Sequence, residues 1–323
     1  MTRGQKLASY YHYTMHKQHC QYQTLLALLC YNQIMGFEDV EIARKAYRDK
    51  FQKYFLSSLL VAGLISVAAF FAYPILAIPL FLFIIAVVFI IITFALNKYR
   101  AAYKKAYKGY FIEQNLKKVF SNVTYDHEKG FSPDVIRESG MVRLADKFYS
   151  NDLTIAKYQK IAFAQADVGI IQVTTDDKGN TYETPIFKGR YMIFQFPKKF
   201  DYRLEVASKK FRATKVSGKQ MKRLETESTD FNHHFKVFGE DGFESFYLLD
   251  PAVIAKIEDL GAHYKYKLLL GFYDNKLMVA LDDGKDSFEP PSFMKPIDEK
   301  TEMAKIASDI KVITDFVDII SSH

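Results

Sequence analysis

The chain has 323 residues, of which 49% are hydrophobic and 15% aromatic, so it can bury a sizeable core and lacks the composition of a disordered protein. Its net charge of +7 is concentrated on both sides of an uncharged run at residues 54–97. A nucleic-acid-binding protein would carry such charge on one folded face, so nucleic acid is not an expected partner. The two cysteines are too few for a disulfide framework.

The uncharged run is long enough for two membrane spans, because one helix crosses the hydrocarbon core with roughly 20 residues. Pro74 and Pro79 stand at its middle and disfavour a single continuous helix. The sequence therefore predicts a two-helix transmembrane hairpin (residues 54–97) with spans at residues 55–73 and 78–96. Small residues on the first span are expected to pack against the second. They are Ala62, Gly63, Ser66 and Ala69.

The charges around the predicted hairpin indicate its orientation. The loop between the spans has no lysine or arginine, whereas both flanks are rich in them. By the positive-inside rule, this predicts a multi-pass protein of the cell membrane with both termini in the cytoplasm. The first residues are polar, so no secretory signal is expected. Neither span contains an acid or a base that could serve an ion pathway, which argues against a channel or transporter.

A basic juxtamembrane helix is expected at residues 98–120, where tyrosines recur at helical spacing among lysine and arginine residues. Two interpretations remain open. The helix contacts the membrane surface and its anionic headgroups, or it is a plain helical linker after the second span. The expected membrane-contacting residues are Lys98, Tyr99, Arg100, Tyr103, Lys104, Lys105, Tyr107 and Lys108.

The N-terminal cytosolic region, residues 1–53, is predicted to be helical. His12 and His16 have the i, i+4 spacing that lets two imidazoles share a zinc ion, and His19 lies on nearly the same face. No aspartate or glutamate precedes Glu38, so the usual carboxylate partner of a metal-bound histidine is missing from this region. A surface or packing stripe is the preferred interpretation, a metal site is the alternative, and no cofactor is expected.

Residues 121–295 alternate short apolar runs with turn signals and predict an α+β domain with an antiparallel sheet. "SPDVIRESG" predicts a helix from Ser132 to Gly140, and "DPAVIAKIEDLG" predicts one capped by Asp250 and ending at Gly261. Hairpin turns are expected at "DDKGN", at Asp241-Gly242 and at Asp274-Asn275. An amphipathic helix is predicted within residues 296–323. Its apolar face is Met303, Ile306, Ile310, Ile313, Phe316 and Ile320.

The sequence contains no recognisable catalytic motif. It has no glycine-rich phosphate loop, no His-Glu-x-x-His helix and no Gly-x-Ser-x-Gly elbow. A cleft formed by Asp230, His233, His234 and Glu240 would favour an enzyme, although such a histidine pair usually belongs to surface or local packing. "KKFRATKVSGKQMKRLE" is a basic stretch that we expect to form an exposed loop able to meet acidic lipid or an acidic partner.

Several segments resemble the bacterial domain of unknown function 3137, a family that automatic labels sometimes call galanin-like. They are "TPIFKGRYMIFQFPKKF", "FNHHFKVFGEDGFESFYLLDPAVIAKI" and "YDNKLMVALDDGKDSFEPP", within a similarity over about residues 121–293. The resemblance implies a membrane hairpin upstream of the domain and supplies no catalytic residues.

These observations together favour a membrane-anchored cytosolic binding or scaffold module that is not an enzyme. Its expected partners are the lipid bilayer with its anionic headgroups, and a protein partner or a second copy of the chain. The alternative is an enzyme with an unfamiliar site that acts on lipid or cell-envelope material.

Overall fold

The structure is a computed structural model that describes residues 36–72, 74–197, 199–200, 202–214, 221–240 and 248–319. His12, His16 and His19 lie outside the described residues, as does the turn predicted at Asp241-Gly242. The proposed metal stripe therefore stays a prediction.

Two long helices, α1 (Phe37–Ala72) and α2 (Pro74–Tyr107), follow each other and pack along one another. The second helix begins at Pro74 and contains Pro79, so the reversal uses only the first of the two prolines. Proline is tolerated at a helix start, where its missing N–H has no intrahelical partner to lose. Of the predicted small-residue edge, Ala62 is buried, whereas a methyl group added at Gly63 would meet no atom within 4 Å.

The helical path continues beyond α2 through a π-helix (Lys108–Glu113) into α3 (Gln114–Val119). Among the described residues, one helix, Phe81–Val119, is long and apolar enough to cross a membrane. The structure thus provides one candidate span, and the predicted pair of spans is not confirmed.

In the described part of the chain, a nine-stranded sheet forms the centre of the domain, with strand order β1-β2-β3-β4-β9-β8-β5-β7-β6 and antiparallel pairing throughout. This confirms the predicted α+β class and its antiparallel sheet. The strands are β1 (Ser121–Asp126), β2 (Lys147–Tyr158), β3 (Ile161–Thr175), β4 (Thr181–Gln195), β5 (Leu204–Ser208), β6 (Lys222–Leu224), β7 (Phe235–Gly239), β8 (Leu268–Tyr273) and β9 (Lys276–Leu281).

The remaining helices are α4 (Pro133–Ser139), α5 (Thr229–His234), α6 (Pro251–His263) and α7 (Glu299–Val317). Their signals act largely as predicted: Gly140 ends α4 with a φ of 68°, and the Asp250 carboxylate accepts the Val253 N–H at 2.9 Å. α6 continues two residues past Gly261 to His263. Glycine inside a helix weakens it without ending it when packing supports the next turn.

The two faces of the sheet bury separate apolar cores. The larger core collects the beginning of α1, the end of α2, the π-helix, α6 and α7, and the smaller one lies on the opposite face beside α4. Val40 and Tyr47 of α1 and Tyr107 of α2 belong to the larger core. The charged ends of the two long helices are therefore part of the domain, and only their apolar halves extend away from it.

Candidate functional site

The tyrosine stripe predicted to face the membrane packs instead against the C-terminal segment. Tyr103 donates a hydrogen bond to the Pro291 carbonyl at 3.1 Å. Tyr107 and Tyr110 donate to two glutamates of α7, Glu302 and Glu299. Tyrosine combines a large apolar ring with one polar group, so an amphipathic stripe serves a protein core as well as a membrane interface.

The basic residues of the same segment divide into two groups. Lys98, Arg100 and Lys105 are exposed, and Tyr99 lies between the ammonium groups of Lys50 and Lys98, 6.0 and 5.0 Å from its ring centroid. Tyr103, Tyr107 and Lys108 are buried, which corrects their prediction as membrane-contacting residues. Lys104 is part-buried beside Glu289 at 2.5 Å. The proposed contact with headgroups is thus restricted to the exposed residues.

Lys108 enters a buried ion network, which we define as Lys108, Asp152, Asp167, Arg190 and Glu289. Its ammonium group lies 2.6 Å from both carboxylate oxygens of Asp152 and 3.1 Å from Glu289. Asp152 adopts a φ of 59° at the β2 bulge, where the backbone turns its side chain inward. The network therefore connects the start of the π-helix to the sheet, and π-helical turns are frequent at functional positions.

Asp167 and Arg190 form the other half of this network and pair across β3 and β4. The Ser287 N–H donates to Asp167 at 2.7 Å, and Arg190 also contacts Asp309 of α7 at 2.9 Å. Burial raises the pKa of Asp167 well above its ordinary value, and the guanidinium of Arg190 opposes part of that rise.

Three carboxylates in this region could serve as ligands for a divalent cation. One oxygen each of Asp152, Asp167 and Asp286 lies within 4.8 Å of the others. The Lys108 ammonium already neutralises Asp152, however, and Arg190 faces Asp167. A cation would have to compete with these fixed positive charges, so the arrangement is better suited to joining elements than to holding a metal.

The residues proposed for an enzymatic cleft do not converge. His234 stacks on the Tyr266 ring at a centroid distance of 4.0 Å, which is a packing role. Asp230 and His233 are exposed on α5, whereas Glu240 follows the far end of β7. A five-residue strand separates the last helical residue from Glu240, so the two lie roughly 20 Å apart at 3.3 Å per residue.

A basic cavity of about 590 Å³ opens beside the sheet, where β9 and β5 end and β8 begins, next to an internal part of β4. Asp282 is its one acidic lining residue, and five others are basic. None of the basic side chains forms a salt bridge with any residue that the structure describes. The lining residues are Pro185, Ile186, Lys188, Lys209, Lys210, Arg212, Lys267, Asp282 and Gly284.

Sequence reasoning found this cavity only in part. Lys209, Lys210 and Arg212 begin the basic stretch that was expected to form an exposed loop. Lys188 and Lys267 are far from these residues in sequence. The order of the strands in the sheet brings them to the same cavity, and the sequence does not reveal that order. The buried network gave no signal either, because Asp152, Asp167 and Arg190 are isolated charges within otherwise ordinary strands.

Comparison with known proteins gives one match. The model of a family described as "Protein of unknown function (DUF3137)" matches residues 185–321. This match supports the assignment of residues 185–321 to the DUF3137 family. No curated protein and no solved structure matches the chain.

The DUF3137 match extends from the middle of β4 through α7, so it contains every residue that lines the basic cavity. The two long helices precede it. The family description assigns no activity.

Proposed function

We propose that the protein is a membrane-anchored binding module, with α1 and α2 crossing the bilayer as a hairpin and the α+β domain in the cytoplasm. The observation that carries this proposal is the apolar surface of both helices. Between Phe55 and Phe94 most large apolar side chains are exposed, among them Leu60 at 64%, Ile90 at 55% and Phe94 at 72%. Water makes such a continuous surface unfavourable, whereas lipid tails cover it without cost.

Both helices contribute to this surface, although only the second qualifies as a candidate span. The pairing of α1 with α2 supports a chain that crosses the bilayer once in each direction, because the two helices pack along each other through their apolar halves. Exposed basic residues flank those halves, with Lys53 on α1 and Lys98 and Arg100 on α2. This arrangement agrees with a cytoplasmic location for both flanks.

The domain's surface supports recognition through charge. Outside the two long helices, the exposed large apolar residues of the described chain are few and separate, for example Val119, Ile155, Tyr182 and Met294. No described apolar area on the domain suits a large hydrophobic interface. We therefore expect a binding partner with complementary negative charge, on a protein, on a second copy of the chain or in the inner leaflet.

Charged substitutions test the anchor. Ile90→Arg combined with Leu60→Arg places two charges in the proposed hydrocarbon region, where each costs about 2.5–3.5 kcal/mol. We expect the double variant to become extractable from membranes at alkaline pH, while the native chain stays with the lipid. Ile155→Arg is the matched control, since Ile155 is 48% exposed on the sheet. Equal extraction of all three proteins would refute the anchor.

Reporter fusions test the hairpin itself. Reporters placed after Lys53 and after Lys118 should both indicate the cytoplasm. An extracytoplasmic signal from either one would leave a single span and contradict the hairpin.

A further inference from the structure

We infer that the basic cavity at the end of the sheet binds an anion that carries a phosphate or diphosphate group. This inference rests on the proposed binding function and names the class of ligand. No catalytic step is part of it.

The charges around the cavity call for an anionic occupant. Five basic side chains, of Lys188, Lys209, Lys210, Arg212 and Lys267, surround one space without a salt bridge to any described residue. Like charges placed together repel each other, and a multiply charged anion relieves that repulsion at several groups simultaneously.

Asp282 offsets one of these five positive charges, so the lining keeps an excess of four. Its carboxylate accepts the backbone N–H of Lys188 at 3.1 Å, and its own N–H donates to the Lys267 carbonyl at 2.9 Å. The aspartate therefore fixes the relative positions of two lysine-bearing strands. None of the five cationic side chains forms a salt bridge with Asp282.

The frame of the cavity is built from hydrogen-bonded backbone. The Gly284 N–H donates to the Lys188 carbonyl at 2.9 Å, and the Lys209 N–H donates to the His234 carbonyl at 2.9 Å. The Lys210 ammonium lies 5.5 Å from the Tyr266 ring centroid, which restrains its direction. Such a frame reduces the ordering cost of binding, because the backbone that carries these residues is already fixed by hydrogen bonds.

Size and donor chemistry favour a phosphate-bearing group. A volume of about 590 Å³ is typical of sites for small molecules and exceeds what a single carboxylate would need. Arg212 offers a planar pair of donors that fits two phosphate oxygens, and the lysines supply further point charges.

The location of the cavity allows either a lipid or a soluble source for that group. Two contacts show how the helical path runs along β3. Phe120 packs on Phe163, and Lys108 lies in the ion network with Asp167, which follows Phe163 by four residues on β3. Lys188 pairs with the β3 residue two positions beyond Asp167. The cavity therefore lies toward the end of the sheet that is nearer to the apolar half of α2. A lipid headgroup or a soluble phosphate compound can approach it there.

Calorimetry with inorganic pyrophosphate, on the full chain in neutral detergent, tests the inference. We expect the double variant Lys188→Met, Lys267→Met to lose at least about tenfold in affinity, because two charge-assisted contacts disappear. The control is Lys236→Met, Lys276→Met, which removes two exposed lysines outside the cavity and should change affinity by less than about twofold. Equal affinity in the two variants, or no binding by the native chain, would overturn the inference.

Nanodiscs distinguish the two sources of phosphate. If headgroups occupy the cavity, discs rich in phosphatidic acid should weaken pyrophosphate binding relative to discs of phosphatidylcholine alone. Unchanged binding would assign the cavity to a soluble phosphate compound. The calorimetric measurement does not depend on topology, so a failed hairpin test and a failed anion test give separate results.

Discussion

Lys105 and Lys108 lie three residues apart on one helical path, yet their environments are opposite. Lys105 is exposed, whereas Lys108 is 1% exposed and holds both oxygens of Asp152. The π-helix begins at Lys108 and changes which side chains face the sheet. A helical periodicity read from sequence assumes a regular α-helix and so assigns both lysines to one surface.

Lys108→Met should lower the free energy of unfolding by about 3–5 kcal/mol, because it leaves the Asp152 charge buried without its partner. Denaturant titration of the detergent-solubilised chain would measure the change. Lys105→Met is the matched control and should stay within about 0.5 kcal/mol of the native value. Adding Asp152→Asn to Lys108→Met should recover part of the loss. A Lys108 variant as stable as the control would show that the ion pair contributes nothing.

Asp167 should make stability depend on pH. Its folded pKa is raised by burial, so the folded state binds the proton more tightly than the unfolded chain. The free energy of unfolding therefore falls as pH rises from the ordinary aspartate pKa near 3.8, which applies to the unfolded chain, toward the raised pKa of the folded state. Relative to Asp167→Asn, which cannot ionise, the native chain should become less stable across that window. A constant difference between the two unfolding curves would contradict the raised pKa.

At the scale of elements, capping residues and turns follow the sequence closely. Ser132, Gly140 and Asp250 stand where the helices begin or end, and Asp274-Asn275 joins β8 to β9. These signals act within a few residues, so a local pattern is sufficient to find them. The end of α6 differs because Phe235 and Tyr266 pack around Gly261 and support another turn.

Asp250→Ala should destabilise the chain by about 1 kcal/mol, because the Val253 N–H loses its acceptor at the start of α6. Asp259→Ala, on the exposed side of the same helix, serves as the control. Thermal unfolding followed by circular dichroism would compare them. Equal midpoints would mean that the cap does not limit stability.

At the scale of the whole molecule, the proposed anchor and the domain share one core. The Arg44 side chain is buried, bonded to Glu41 at 2.7 Å and to the Phe293 carbonyl at 2.8 Å. The Tyr47 ring packs against the Phe293 ring at a centroid distance of 4.0 Å, with the two planes tilted by 34°. The division at residue 121 predicted from sequence therefore lies inside a packed unit.

A fragment of residues 121–323 should aggregate, because it lacks the helices that cover the larger core. A chain in which a short glycine-serine linker replaces residues 55–96 should be soluble and folded, since Lys50 and Tyr99 already lie side by side. Gel filtration and circular dichroism would compare the two proteins. A folded, monomeric 121–323 fragment would show that the domain does not need the ends of the long helices.

The sequence alone determined the fold class, most helix boundaries, the hairpin turns after β3 and β8, and the apolar run, because each depends on local periodicity, capping or composition. Only the tertiary structure decided that the tyrosine stripe packs against the C-terminal segment, that Lys108 is buried, and that Lys188 and Lys267 lie beside Lys209. Those outcomes depend on strand order and on which surfaces cover one another. Both are set by contacts between residues far apart in the chain, and neither leaves a periodic pattern in the sequence.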